Sequence, residues 1–216
     1  MKQTLSINMA MSIDGKVARP DGRWYGLTSE ADKRQMDNYR SKSDAIIIGK
    51  NSIINDNPRI KLKFVENAIN PRPIILIRRG TLTPDKKIFE ESDHIPLVIC
   101  CKANKKEIEE NLKNRVEIHA LDSDDIDPKK VLGILSRLGY ERILLEGGPK
   151  LNYAFLKQGL VNRIHITLVP FLIGMKTLPA IADGDTDLPD FDKKKWKLVS
   201  SIQEESEVFL TYENIE

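Results

Sequence analysis

The sequence predicts an α/β fold built on a mostly parallel mixed sheet with an antiparallel carboxy-terminal edge, and three observations carry that prediction. Short apolar runs, Ala45-Ile-Ile-Ile-Gly49, Pro73-Ile-Ile-Leu-Ile77, Pro96-Leu-Val-Ile-Cys100 and Ile143-Leu-Leu145, have the character of strands buried on both faces. Helical segments alternate with them, an order that implies parallel pairing. The chain then changes character: Arg163 to Val169 alternates cleanly, and Trp196 to Ser200 and Val208 to Tyr212 flank a turn near Glu204 to Glu207. Those last strands form the antiparallel edge.

Taken in order, Leu5 to Met11 alternates apolar with small or polar residues and is the first strand, closed by an Asp14-Gly15 turn. Gly22 to Leu27 is irregular and carries Trp24 and Tyr25. Thr28 and Ser29 supply capping hydroxyls for a helix to about Arg40, with Glu30 and Asp32 complementing its dipole. Lys50 to Asn57 is a short polar turn or helix stopped by Pro58. Asn104 to Lys113 reads as a surface helix and Val116 to Leu121 as a strand. Pro128 to Leu138 is a helix with Val131, Leu132, Leu135 and Leu138 inward and Gly139 past its end. A last helix, Pro149 to Leu160, places Leu151, Phe155 and Leu156 near one face.

The 216 residues show no repeat, linker or composition shift, so residues 1–216 are read as one domain. With 34 Lys and Arg against 32 Asp and Glu, the net charge of +2 makes no electrostatic case for nucleic acid or a membrane surface. No apolar run could span a bilayer, and the first residues have neither signal- nor transit-peptide character. Cys100 and Cys101, the only cysteines, are adjacent and point opposite ways, which disfavours a bridge and fits a reducing cytoplasm.

Several chemistries lack their residues. His94, His119 and His165 have no partner at ligand spacing, so no metal is expected. Asp183, Asp185 and Asp187 begin like a calcium loop, but Leu188 and Lys194 stand where its glycine and glutamate belong. A nucleophile elbow, a phosphate loop and the Gly-x-Gly-x-x-Gly dinucleotide fingerprint are all missing.

What remains is a set of polar residues at predicted strand ends. Glu146-Gly147-Gly148-Pro149-Lys150-Leu151 joins a buried strand to a helix through glycines that allow close backbone approach. Proline suits the first helical turn, whose amides favour an anion such as phosphate. Asp14-Gly-Lys16 and Gly49-Lys50-Asn51-Ser52 with Asp56 end two other strands, and Arg40, Arg59, Lys61 and Lys63 add positive charge suited to a phosphorylated ligand. Taken singly, each of these stretches also reads as an ordinary turn or a solvated surface.

Met11-Ser-Ile-Asp-Gly-Lys16, Ala45-Ile-Ile-Ile-Gly49 with Ser52 and Asn55-Asp-Asn-Pro58, Leu145-Glu-Gly-Gly-Pro149, Gly159-Leu-Val-Asn162 and Val169-Pro170 closely resemble the riboflavin-pathway pyrimidine reductases, in order and over nearly the whole chain. The resemblance implies a dihydrofolate-reductase-like three-layer fold, a homodimer, and NADPH-dependent reduction of the ribosyl group of a ribosylaminopyrimidine 5′-phosphate to a ribityl group. It places Ala10, Ser52, Asp56 and Gly147 to Leu151 near NADPH, and Arg40, Ile60, Lys63 and Glu146 near the substrate. Glu146 and Asp56 become the catalytic candidates, and Arg40 with Lys63 the phosphate holders. The zinc-deaminase signature that often accompanies this domain in bacteria is missing, which points to the stand-alone type acting on the 2,5-diamino compound. Where the family has Asp-Asp-Pro, Leu-Thr and an arginine, this chain has Asp56-Asn57-Pro58, Ile60-Lys61 and Lys63. A lysine neutralises phosphate without the two-pronged grip of arginine. The deaminated substrate, another heterocycle or carbonyl, and a non-enzymatic nucleotide-binding role stand as alternatives.

Overall fold

The computed structural model describes residues 3–24 and 27–215, so Tyr25 of the irregular segment lies outside the described residues. Among the described residues there are nine strands, β1 (Thr4–Ser12), β2 (Ala45–Gly49), β3 (Arg72–Ile77), β4 (Leu97–Cys101), β5 (Glu117–Leu121), β6 (Arg142–Leu145), β7 (Arg163–Val169), β8 (Trp196–Glu204) and β9 (Glu207–Asn214). They form one sheet in the order β5-β4-β3-β2-β6-β1-β7-β9-β8. Pairing is parallel from β5 to β7 and antiparallel for β7–β9 and β8–β9, as the sequence predicts.

The apolar runs sort by alternation into two cores. Ala45, Ile47, Ile74, Leu76, Leu97, Ile99, Ile143 and Leu145 face one side, and Ile46, Ile48, Ile75, Ile77, Val98, Cys100 and Leu144 face the other. Each residue's neighbour points the opposite way, so a strand covered on both faces must be apolar throughout. The first side is covered by α5 (Pro128–Arg137) and α6 (Pro149–Lys157), through Val131, Ile134, Leu135 and Phe155. The other is covered by α2 (Lys50–Asp56), α3 (Lys87–Glu90) and α4 (Lys105–Leu112), with Tyr39 of α1 (Glu30–Ser41) packed against it.

Two expectations need correction. Leu138 is 47% exposed because α5 ends at Arg137 and Leu138 serves as its cap residue. The last helix stops at Lys157 rather than Leu160, and Gly159 takes a positive φ just beyond it. The helix read as a surface element, α4, buries Ile108 and Leu112 on its inner side. The one-turn α3 has no counterpart in the sequence reading, since four residues carry too little periodicity to register.

Candidate active site

The β2–β6 ladder continues past the strand ends. Glu146 N–H donates to Ile47 O at 3.0 Å, and Gly49 N–H donates to Gly147 O at 2.8 Å. These bonds place the Glu146 carboxylate at the carboxyl edge of the sheet. A Cβ on Gly49 would lie 3.3 Å from Gly147 O, so β2 closes on glycine where the two backbones meet.

Arg40, from the last turn of α1, reaches that carboxylate with two bonds. Nε donates to Oε1 at 2.8 Å and Nη2 to Oε2 at 2.7 Å, while Nη1 donates to Arg59 O at 3.0 Å. The side chains are 4% and 9% exposed, so the pair lies in surroundings where an unmatched charge would be costly. Burial alone would lower the guanidinium pKa, but Glu146, by charge and hydrogen bond, leaves it raised. Arg40 therefore holds Glu146 rather than standing free to grip a phosphate, which differs from the expectation for it.

The same helix organises the stretch after α2. Asp37 Oδ2 accepts from Lys63 N at 2.6 Å and from Phe64 N at 3.0 Å. Lys63 is exposed, its ammonium 5.3 Å from the Phe64 ring centroid. The Ile60 side chain is buried in the core against α2.

Gly147 and Gly148 turn the chain from β6 into α6. Gly147 has φ +67°, and a Cβ there would stand 2.9 Å from Asn152 Oδ1. Gly148 is the N-cap residue, Pro149 opens the helix, and the amides of Leu151 and Asn152 both donate to Gly148 O at 2.9 Å. A Cβ on Gly148 would meet Ser52 Oγ at 3.3 Å, so Ser52 of α2 borders the turn, and Leu151 packs beside Gly49. Lys150 is exposed, Pro149 partly so. Ala10 continues β1 beyond its pairing with β6, opposite Thr167 of β7. Asp56 has partners of its own. It ends α2 and accepts from Trp24 N at 3.0 Å, and desolvation raises its carboxyl pKa against that bond.

Asn152 escaped the sequence reading. It is fully buried, donates through Nδ2 to Ile181 O at 2.9 Å, and leaves Oδ1 without a hydrogen-bond partner among the described residues, beside the glycine turn. An asparagine flanked by Leu151 and Phe155 on the inward face of α6 was the available signal. Asp14 also has a structural task. It accepts from Ser12 Oγ, Ile173 N and Gly174 N at 2.7, 3.1 and 2.7 Å, and those bonds, the Ser12 hydroxyl first, lower its pKa to about 2.

A carboxylate locked by a buried arginine, beside a tight glycine turn into a helix, brings a directed negative charge and the opening of a helix to one edge of the sheet. The RibD C-terminal domain family matches residues 3–210 of the chain. The chain belongs to this family. Among its relatives in that family, the 2,5-diamino-6-ribosylamino-4(3H)-pyrimidinone 5′-phosphate reductase of Methanothermobacter thermautotrophicus is 28% identical over 186 residues, 86% of either chain. Riboflavin biosynthesis protein RibD of Chlamydia trachomatis is 30% identical over 178 residues, 81% of this chain but 48% of that protein. Among solved structures, a bifunctional deaminase/reductase from Thermotoga maritima superposes with a TM-score of 0.83 at 21% identity, covering 99% of this chain and 57% of that one. The yeast riboflavin biosynthesis reductase Rib7 gives 0.71 at 20% identity over 99% and 90%. At these identities the structural likenesses establish the fold.

Proposed function

We propose that this member of the RibD C-terminal domain family is a cytoplasmic, homodimeric, NADPH-dependent reductase that converts the ribosyl group of 2,5-diamino-6-ribosylamino-4(3H)-pyrimidinone 5′-phosphate to a ribityl group. The observation that carries the reading is the buried Arg40–Glu146 pair set beside the Gly147–Gly148 turn. The turn suits a dinucleotide: Asn152 Oδ1 and Ser52 Oγ stand where Cβ atoms on Gly147 and Gly148 would press, so the turn is bare backbone, and α6 opens beneath it with Pro149 in its first turn. Gly148, Ser52 and the opening turn of α6 would hold the cofactor phosphates, with Ala10 at the nicotinamide end and Asp56 toward the ribose. When bound, the reduced nicotinamide supplies the hydride that the substrate's C1′ accepts.

The chain's own residues orient and stabilise. Each Glu146 oxygen retains a lone pair beyond those that accept from Arg40, so the carboxylate faces the substrate and stabilises positive charge developing on the C1′–nitrogen unit. Arg40 fixes its direction. Lys63, exposed at the rim, meets the 5′-phosphate as a point charge. Exposed Leu198, Val199 and Ile202 on edge strand β8 support the dimer.

The test supplies NADPH with the diamino or the deaminated compound and follows NADPH absorbance and product mass. Ribitylated product from the diamino compound is expected, and no NADPH consumption with either compound refutes the proposal. Gly148→Val should weaken NADPH binding, whereas Glu146→Gln should spare it and lower turnover.

A further inference from the structure

The reduction also consumes a proton, and neither candidate carboxylate above is placed to give one. Both oxygens of Glu146 accept from Arg40, and Asp56 accepts from the Trp24 amide. We propose that Asp32, at the third position of α1, is the catalytic acid that protonates the sugar ring oxygen as the ring opens. This inference rests on the reductase reading and names a further residue for that reaction.

By sequence Asp32 is a first-turn acid that complements the helix dipole. The structure gives the capping work to others. Ser29 Oγ accepts from Asp32 N at 3.1 Å, and the Ser29 N–H, which a capping-box carboxylate at the third position would take, donates instead to Glu207 Oε1 of β9 at 2.9 Å. Ser29 Oγ then donates to Glu207 Oε2 at 2.5 Å. The Asp32 carboxyl is released from local duty, and the hydroxyls of Thr167 of β7 and then Thr28 are the groups that favour its ionised form. Thr167 is buried and pairs with Ala10 in the β1–β7 ladder, and Tyr39, two turns further along α1, stacks on His165 of the same strand with ring centroids 3.9 Å apart, so the Asp32 face of α1 lies over β7.

The charged groups around it are Glu207 from β9, Glu146 just past β6 and Arg40 from its own helix. Burial raises its pKa first, with Glu207 and then Glu146 adding to the rise, while the Thr167 and Thr28 hydroxyls oppose it. A hydroxyl can accept from a protonated carboxyl as readily as it donates to a carboxylate, so these partners tolerate either form. Asp32 is partly exposed, which lets water restore the proton after turnover.

The step balances. The nitrogen lone pair on C1′ forms the C1′=N bond as C1′–O4′ breaks, O4′ takes the Asp32 proton to become a hydroxyl, and C1′ accepts hydride from the reduced nicotinamide. One proton and one hydride are consumed, and Asp32 is left as a carboxylate to be reprotonated.

The acid works while protonated, so turnover should fall as pH rises through the Asp32 pKa. In the full chain, Asp32→Asn should lower kcat by about a hundredfold or more, the range of a lost general acid, with NADPH affinity by fluorescence titration unchanged. The variant should also lose the alkaline limb of the kcat–pH profile, and Asp32→Glu should restore turnover with that limb displaced. Wild-type kcat in Asp32→Asn, or an alkaline limb unmoved in both variants, overturns the proposal. If Asp32→Asn fails to fold, the limb in Asp32→Glu decides alone. Wild-type protein inactive on both substrates would instead sink the reductase reading and this step with it, a pattern distinct from an active wild type with an indifferent Asp32.

Discussion

Glu146 and Asp14 both lie at the carboxyl edge of the sheet, after the paired neighbours β6 and β1, and both looked in sequence like site carboxylates. Their partners separate them. Glu146 is buried against a guanidinium that arrives from a helix 106 residues earlier in the chain. Asp14 is held at the surface by one hydroxyl and two backbone amides of the segment after β7. A buried carboxylate matched by a fixed cation can present directed charge to a ligand, whereas one saturated by loop amides fastens a loop. Asp14 thus serves the site at one remove. The segment it pins runs on to Pro179 O, which accepts from Val17 N, and to Ile181 O, which accepts from Asn152 beneath the glycine turn.

Removing the cation gives the largest break in this comparison. Arg40→Ala leaves Glu146 buried without its partner and Arg59 O without its donor, which should cost about 3–5 kcal/mol. For a chain of this size that lowers Tm by roughly 6–20 °C, measurable by calorimetry. Arg40→Lys keeps a charge but not the two-pronged grip, so it should fall between wild type and alanine. An unchanged Tm in Arg40→Ala would mean that the pair is not the structural and electrostatic centre described.

The difference between the two carboxylates also marks what could be read in the sequence. The strands were legible because burial on both faces forces unbroken apolar runs, as in Ala45 to Ile48, and the antiparallel edge because Arg163 to Val169 alternates. Glycines and a proline between a strand and a helix announced the Gly147–Pro149 turn. The partnerships were not legible: nothing in the local pattern of Arg40 says that it faces Glu146, because that contact depends on how α1 crosses the sheet. Asn152 hid in an amphipathic helix where a polar residue is read as outward-facing, and Asp32 hid behind a capping role that Glu207 performs in its place. Such contacts are set by tertiary packing, which periodicity does not encode.

A smaller break comes from the turn that carries Glu146. Gly147→Ala puts a side chain at φ +67°, with its Cβ 2.9 Å from Asn152 Oδ1 in a fully buried position. Backbone strain of this kind costs about 1–3 kcal/mol. The damage should fall on the site as well as on Tm, so NADPH affinity should drop with stability. Asn152→Ala in the same background removes the clashing atom and should recover part of the loss. If the double variant is no better than Gly147→Ala alone, the Asn152 contact is not what excludes a side chain there.

The smallest effect belongs to Asp14, and pH shows whether its role is electrostatic. Its carboxyl has a folded pKa of about 2 against an ordinary value of 3.8, so the folded state favours the ionised form. The resulting stability is fully present above about pH 4 and is lost as pH falls toward 2, where the carboxyl protonates in folded and unfolded chains alike. Asp14→Asn should therefore melt below wild type at neutral pH, with the gap closing between about pH 4 and 2. It should also be cut faster by protease in the segment around Ile173 and Gly174, whose amides lose their carboxylate. Turnover should change little beside Glu146→Gln, because Asp14 reaches the turn only through the strap it fastens. A Tm gap that persists at pH 2 would point to packing or turn geometry, not charge, as what Asp14 contributes.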